Sequence, residues 1–177
     1  GKIAPNMEMK IDSSDPVNVP GEILIKGANV FLGYFKNEEA TKAVFTKDGW
    51  FRTGDMGVVD KDGCLFIKGR SKCMILGPSG QNIYPEEVET VINSQPYVVD
   101  SLVVEDDGGL TGLIYPDFAQ GAKDGMNQDT FIKYIEDTLP ELNKELPNYA
   151  KLKKIEVMSE DFERTPKKSI KRYLYQR

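Results

Sequence analysis

Alternating apolar and polar positions in the first part of the chain predict short β-strands separated by glycine-rich and proline-rich turns. The predicted strands are Met7–Ile11, Gly21–Gly27, Trp50–Thr53, Gly57–Asp60 and Cys64–Lys68. The segment Asn29–Tyr34 could extend the sheet. A short helix is predicted from Asn37 to Phe45, because Asn37 is a favourable N-cap and two glutamates follow it. The run Asp60-Lys61-Asp62-Gly63 predicts a hairpin turn between the last two strands.

After Arg70 the pattern changes to a mixture of helical and strand periods. Pro85 opens a predicted helix with a buried stripe at Val88, Val91 and Ile92. The other predicted elements are strands at Met74–Leu76, Tyr97–Glu105, Leu110–Tyr115 and Ile155–Met158, and a helix at Asp129–Leu139. The prediction is therefore an α+β protein, with a β-rich segment over residues 1–70 and a compact α+β domain with a short sheet flanked by helices over residues 71–177.

The composition narrows the function classes. The 177 residues are 40% hydrophobic, which is sufficient for a packed core, and they include no long apolar run and no secretory leader. We therefore expect a cytoplasmic protein without a transmembrane segment. No histidine is present, and Cys64 and Cys73 make a weak pair, so we expect neither a metal centre nor a histidine-based triad. A net charge of −5 argues against broad nucleic-acid binding.

Two strand ends carry charged residues beside glycines, at Gly54-Asp55 and Gly69-Arg70. A carboxylate can accept hydrogen bonds from two neighbouring hydroxyls, as on a ribose, and a guanidinium can pair with a ribose or phosphate oxygen. The simpler alternatives are an aspartate in a tight turn and a surface arginine at a strand end, and both are common.

Two further segments have candidate chemistry. The loop Gly77-Pro78-Ser79-Gly80 could leave backbone amides open to a phosphate or a pantetheine chain, or could be a plain connection into the Pro85 helix. The tail lysines, Lys167, Lys168 and Lys171, could place a cation on a phosphate or a carboxylate, or could form a solvated basic end.

In order along the chain, these segments resemble one family. They are Gly-Trp-Phe-Arg-Thr-Gly-Asp from Gly49, Gly-Arg-Ser-Lys from Gly69, Gly-Gln-Asn-Ile-Tyr-Pro-Glu-Glu-Val-Glu from Gly80, and Arg164-Thr165-Pro166 with the lysines after it. The chain resembles the carboxyl-terminal part of the adenylate-forming acyl-CoA synthetases, and most of all the bacterial long-chain fatty-acid CoA ligases. In this family an acid and ATP give an acyl-adenylate and pyrophosphate, and CoA then displaces AMP.

The resemblance implies roles for four residues. Asp55 would hold the ribose hydroxyls of ATP or AMP, and Arg70 would contact the nucleotide. Lys72 matches the hinge about which the carboxyl-terminal domain turns between the two half-reactions. Gly80 and its neighbours match the loop that faces the pantetheine of CoA.

The catalytic lysine of the family is where this sequence departs from the pattern. An ungapped match of the segment after Arg164 puts Ser169 at the lysine position. Lys168 or Lys171 would then supply the cation that stabilises negative charge at the α-phosphate.

The resemblance also implies that this chain is a fragment: the end of the large domain's β-barrel subdomain, followed by the whole mobile small domain. The missing amino-terminal domain would be its partner and would hold the fatty acid, and Mg²⁺ would act in the full-length enzyme. Membrane association of the full-length protein stays open. We predict that the fragment alone is inactive. The alternatives are a ligase for another carboxylic acid, such as an aryl or medium-chain acid, and a non-catalytic binding domain, which Ser169 keeps open.

Overall fold

The computed structural model describes residues Gly1 to Arg177, which divide into two compact units, Gly1–Cys73 and Met74–Arg177. The division lies three residues beyond the boundary placed at Arg70. The reason is that Ser71–Cys73 form a short 3-10 helix, which packs against a strand of the first unit. No helix of the chain is both long and apolar enough to cross a bilayer.

The first unit is an antiparallel sheet with one helix, α1, over Glu38–Val44. Its four strands, which pair in chain order, are β1 Met7–Asp12, β2 Gly21–Gly27, β3 Phe51–Val59 and β4 Leu65–Arg70. Asn37 caps α1 as predicted, since its side chain accepts the Ala40 N–H at 3.0 Å. The hairpin turn at Asp60–Gly63 is also confirmed: Asp60 accepts N–H bonds within the turn, and Gly63 has a φ of +74°.

Two strand predictions in this unit are wrong. The segment Asn29–Tyr34 does not extend the sheet but forms a turn and a loop, because the Tyr34 N–H is bonded to the Thr41 hydroxyl instead of to a strand. The two strands predicted on either side of Gly54 are one continuous strand, β3, which contains a bulge. A bulge lets a strand absorb extra residues without ending.

The second unit combines a three-stranded sheet, a two-stranded sheet and helices, and confirms the predicted α+β class. Its strands are β5 Ile75–Leu76, β6 Asn82–Ile83, β7 Val98–Asp106, β8 Gly109–Pro116 and β9 Leu152–Val157. Its helices are α2 Pro85–Asn93, α3 Phe118–Lys123, α4 Gln128–Glu136 and α5 Leu139–Glu145. Short 3-10 helices lie at Asn148–Ala150 and Arg172–Leu174.

The sheet of the second unit pairs β7 with β8 antiparallel and β8 with β9 parallel. The β7–β8 turn has positive φ at Asp107 and Gly108, the conformation that a two-residue hairpin turn of this composition favours. The connection from β8 to β9 runs through α3, α4 and α5, and a parallel pairing requires a crossover of this kind.

The predicted helix at Asp129–Leu139 is two helices, α4 and α5, and the last strand begins at Leu152 instead of Ile155. Pro140 accounts for the break, because it has no N–H to offer the Glu136 carbonyl and its ring would clash there. The predicted stripes do reach the core, where Val88, Ile92, Phe131 and Ile135 are each at most 2% exposed, whereas Val91 is only partly buried.

Candidate functional site

In the first unit, Asp55 and Arg70 lie directly opposite each other on β3 and β4. The Asp55 Oδ1 atom is 3.0 Å from the Arg70 Nε atom. The Asp55 side chain is 34% exposed and that of Arg70 is 62% exposed, so both groups remain accessible from solvent. The structure thus brings together the two residues that the sequence motifs assigned to nucleotide contact.

The β3 bulge presents this pair. Glu22 pairs with Met56 and Leu24 pairs with Arg52, so β3 has two extra residues between these positions. Gly54, inside the bulge, has a φ of +74°, which a residue with a Cβ rarely adopts. The bulge therefore turns the backbone immediately before Asp55.

Glu22 holds the bulge through both of its carboxylate oxygens. One oxygen accepts the Gly54 N–H at 3.2 Å and the other accepts a hydrogen bond from the Arg52 guanidinium at 2.7 Å. The Thr53 hydroxyl adds a second connection, since it donates to the Ile23 carbonyl and accepts the Asp55 N–H. These bonds fix the backbone that leads into Asp55, the candidate ligand-binding carboxylate.

Lys72 lies in the 3-10 helix Ser71–Cys73 and is exposed. This helix follows directly after Arg70 and is the last element of the first unit. The predicted hinge residue is therefore one residue from the division between the two compact units.

In the second unit, Gly80 lies in the turn that joins β5 to β6, with a φ of +79°. The turn is closed by the Gly77 N–H, which donates to the Gln81 carbonyl at 2.8 Å. Neighbours of Gly80 line a cavity of about 260 Å³ together with the end of the β7–β8 hairpin and with Asn148, Tyr149 and Lys151. Tyr149, half exposed, and Lys151 contribute an aromatic ring and a cation to its wall.

Residues 164–170 form what we call the basic hairpin. Arg164 and Ile170 are bridge partners, and the Thr165 N–H donates to the Ser169 carbonyl at 2.8 Å. Lys168 is exposed in this turn and has a φ of +64°. Ser169, at the family lysine position, is also exposed.

Lys171 differs from Lys168 because it is engaged in an ion pair. Its Nζ atom is 2.9 Å from a Glu163 carboxylate oxygen, and this bond raises the pKa of Lys171. Its side chain is 29% exposed. A role at a phosphate would therefore require Lys171 to leave Glu163, whereas Lys168 is already accessible.

Three arginines anchor the tail that contains the basic hairpin. Arg164 lies 2.7 Å from Asp100 on β7, and Arg177 lies 2.5 Å from Glu156 on β9. The third arginine, Arg172, forms a short ion pair with Glu89 of α2.

Glu89 is 8% exposed and also accepts the Val103 N–H at 2.7 Å. Burial raises the pKa of Glu89, while the Arg172 guanidinium lowers it in part. This carboxylate therefore connects α2, the sheet and the tail.

The sequence did not indicate Glu22, Glu89 or the cavity residues Tyr149 and Lys151. Glu22 follows the glycine that begins a strand, and Glu89 lies on the apolar side of a helix. The signal available in the sequence was therefore a charged residue at a position expected to be buried. For Tyr149 and Lys151 the signal was weaker, namely an aromatic residue and a cation just after Pro147.

Comparison with known proteins gives the family. A family model for the AMP-binding enzyme carboxyl-terminal domain matches residues 73–177, which is more than half of the chain. The chain belongs to the AMP-binding enzyme family. The family assignment made from the sequence motifs is confirmed.

Relatives in the family include a long-chain-fatty-acid–CoA ligase, FadD15, of Mycobacterium tuberculosis, which is 31% identical over 97% of this chain and 31% of its own length. A 2-succinylbenzoate–CoA ligase of Bacillus cytotoxicus is 47% identical over 50% of this chain and 18% of its own length. Among solved structures, the O-succinylbenzoate CoA synthetase MenE of Bacillus subtilis, in complex with ATP and a magnesium ion, has a TM-score of 0.79 and 30% identity over 98% of this chain and 34% of that one. The chain therefore spans about a third or less of these relatives.

The side chains of this chain do not form a metal site by themselves. No group of three or more aspartate, glutamate or cysteine side chains converges in a way that could hold a metal ion. We therefore assign no step to a metal held by these residues.

Proposed function

We propose that this chain is the carboxyl-terminal part of an AMP-forming acid–CoA ligase: the end of the large domain over residues 1–70 and the mobile domain over residues 71–177. The observation that supports this most is the Asp55–Arg70 pair on the bulge held by Glu22. A fixed carboxylate can accept both hydroxyls of a ribose, and a guanidinium beside it can pair with a nucleotide oxygen.

In the first half-reaction, a carboxylate oxygen of the acid attacks the α-phosphorus of ATP and pyrophosphate leaves. Asp55 and Arg70 hold the nucleotide, so that its α-phosphate stays in place. In the second half-reaction, the CoA thiol attacks the carbonyl carbon of the acyl-adenylate and AMP leaves. Rotation of a few backbone bonds near Lys72 would change which surface of the second unit faces the reaction, and the Gly77–Gln81 turn would then border the pantetheine.

Lys168 is the cation we propose for the first half-reaction. It is exposed in the basic hairpin, one residue before Ser169, whereas Lys171 is paired with Glu163. A lysine ammonium near the α-phosphate would stabilise the charge that develops there. The test is pyrophosphate release by the full-length protein, where we expect Lys168→Ala to lower kcat about 100-fold and Lys171→Ala to lower it less. If neither change slows an active protein, the assignment is wrong.

For the acid we propose a long-chain fatty acid. The support is the similarity to the fatty-acid ligase over almost the whole chain. A ligase for an aryl acid is the alternative, favoured by higher identity to the succinylbenzoate ligase over half of the chain. Comparing oleate with 2-succinylbenzoate as substrates of the full-length protein separates the two.

Ser169 at the family lysine position favours a third candidate, a domain that binds without catalysing. Under that hypothesis the full-length protein would bind nucleotide but release no pyrophosphate with any acid. The isolated chain is expected to be inactive in either case. Incubation with ATP, Mg²⁺, oleate and CoA should give no acyl-CoA, and product formation would refute this expectation.

Nucleotide contact itself can be tested on this chain. We expect AMP to shift the NMR signals of the Gly54, Asp55 and Arg70 amides, and 2′,3′-dideoxy-AMP to bind about tenfold more weakly, because its ribose offers no hydroxyls to Asp55. Asp55→Asn should weaken AMP binding by a similar factor. Asp62→Asn, an exposed aspartate on the β3–β4 turn, is the matched control and should bind like the wild type. Equal affinities for Asp55→Asn and the wild type would refute the ribose role.

A further inference from the structure

The loop that we call the aromatic loop, Phe31–Phe35, exposes more apolar surface than a free surface normally does. Leu32 is 101% exposed, as open as in an extended peptide, and Phe35 is 89% exposed. Tyr34 is 50% exposed and Phe31 is 38% exposed. Adjacent large apolar side chains at this exposure are typical of a surface that another element covers.

The loop is held in one shape by its own unit. The Phe31 ring packs against Phe45 and Phe51, with ring centroids 5.7 Å and 5.2 Å apart. The Thr41 hydroxyl accepts the Tyr34 N–H at 2.9 Å and donates to the Asn37 carbonyl at 2.8 Å. The Leu32 and Phe35 side chains are therefore presented outward from an anchored loop, and binding them would cost little ordering entropy.

Gly33 shows how closely the loop fits α1. Its φ is +151°, and a Cβ built on it would lie 2.6 Å from the Thr41 Cγ2 atom. The glycine allows the loop to approach the helix, and this approach places its two neighbours in sequence, Leu32 and Tyr34, in their exposed positions.

We propose that the aromatic loop is a docking surface for the region that precedes this chain in its full-length protein. The chain spans 31% of the fatty-acid ligase and 34% of the succinylbenzoate synthetase that it matches, so about two thirds of a protein of that length would lie outside it. A second copy of the loop fits less well, because two protruding side chains need a hollow and not another protrusion. This inference rests on the proposed function only in so far as the full-length protein resembles these ligases.

Hydroxyl-radical footprinting tests the surface without any substitution. The oxidation rates of Leu32 and Phe35 are measured by peptide mass spectrometry in the 177-residue chain and in the full-length protein, with a free peptide added to normalise the radical dose. We expect both rates to be about tenfold lower in the full-length protein and independent of protein concentration. Equal rates in the two proteins would overturn the proposal. So would protection that appears in the short chain as its concentration rises, because the occupant would then be a second copy.

A charged variant gives a second, independent readout. Leu32→Glu combined with Phe35→Glu should lower the melting temperature of the full-length protein by about 5 °C or more, because two carboxylates would be buried in an apolar contact. The same double substitution in the 177-residue chain is the control and should shift the melting temperature by about 1 °C or less, since both side chains are exposed there. Equal shifts in the two proteins would refute docking.

These measurements contain no ATP, acid or CoA, so they are separate from the test of the proposed function. Protection of the loop together with failure of AMP to bind at Asp55 would remove the nucleotide role and leave the docking surface. Normal ligase activity with an unprotected loop would support the proposed function and rule out the docking surface.

Discussion

Replacing Glu89 tests how the tail with the basic hairpin is attached to the second unit. Glu89 is 8% exposed, accepts the Val103 N–H at 2.7 Å and pairs with Arg172. In Glu89→Ala the Val103 N–H loses its acceptor, and Arg172 loses one carboxylate while Glu86 stays 3.7 Å away. We expect a loss of about 2 kcal/mol, since a buried N–H is left without an acceptor and the partly buried Arg172 loses its hydrogen bond to Glu89.

Glu89→Gln separates the two contributions. The amide oxygen can still accept the Val103 N–H, while the charge that attracts Arg172 is gone. The carboxylate also pays a desolvation cost that the amide avoids, and this cost offsets part of the loss. We therefore expect Glu89→Gln to cost only about 1 kcal/mol. Glu136→Gln, an exposed residue on α4, is the matched control and should change stability by about 0.5 kcal/mol or less.

The measurement is equilibrium urea unfolding followed by circular dichroism, with amide exchange of the Val103 and Lys171 N–H groups as local readouts. The Lys171 N–H donates to the Glu163 carbonyl, so its exchange rate reports whether the tail keeps its folded structure. A loss below about 1 kcal/mol for Glu89→Ala, or equal losses for the Ala and Gln variants, would refute the reasoning.

Arg172→Ala adds a dependence on pH. Burial raises the pKa of Glu89, so the folded state binds this proton more tightly than the unfolded state, and its contribution to stability falls as the pH rises above the ordinary value of 4.5. Removing Arg172 takes away a positive charge that lowers this pKa. Arg172→Ala should therefore cost more stability at pH 7 than at pH 5, and a loss that is the same at both values would contradict the assignment.

Two further changes test other contacts. Glu22→Gln should weaken the Arg52 ion pair and destabilise the β3 bulge by about 1 kcal/mol. The measurement is amide exchange at Gly54, which should become faster. Unchanged exchange there would argue against Glu22 as the residue that holds the bulge. Hydrogen bonds from Arg177 and, to a smaller extent, from Lys154 lower the pKa of Glu156 to about 2. The stabilisation that ionised Glu156 gives the folded state is therefore complete above pH 4.5 and is lost as the pH falls through 2. Arg177→Ala should move the carboxyl titration of Glu156 back towards 4.5 by NMR, and an unmoved titration would contradict this cause.

The candidate residues were found from the sequence because their local signals agree with the tertiary structure. Gly54 before Asp55 indicated an unusual backbone conformation, and the structure has φ +74° there. The glycine and the charged residue beside it are local features, so each could be recognised in the sequence as a candidate site position. The pairing of Asp55 with Arg70 depends on strand register, which the bulge sets, and no local pattern specifies a bulge of two extra residues.

The secondary-structure predictions show the same difference between local signals and tertiary contacts. Val88 and Ile92 were placed correctly because a helical stripe is encoded in the spacing of apolar residues. The segment Asn29–Tyr34 was misassigned because strand and loop both tolerate its aromatic residues. The choice is made by Thr41 and by the Phe45 and Phe51 rings, which lie outside the segment.

By itself the sequence determined the α+β class, the helix capped by Asn37, the glycine turns and the family motifs, since these follow from side-chain chemistry within a few residues of each position. Only the tertiary structure decided that Asp55 faces Arg70, that Lys171 is paired while Lys168 is exposed, and that Glu89 holds the tail. The contact between Glu89 and Arg172 joins residues 83 positions apart, and the other two depend on strand register and on the fold of the tail. Such contacts depend on register and packing, to which many residues contribute at once, and no short pattern records them.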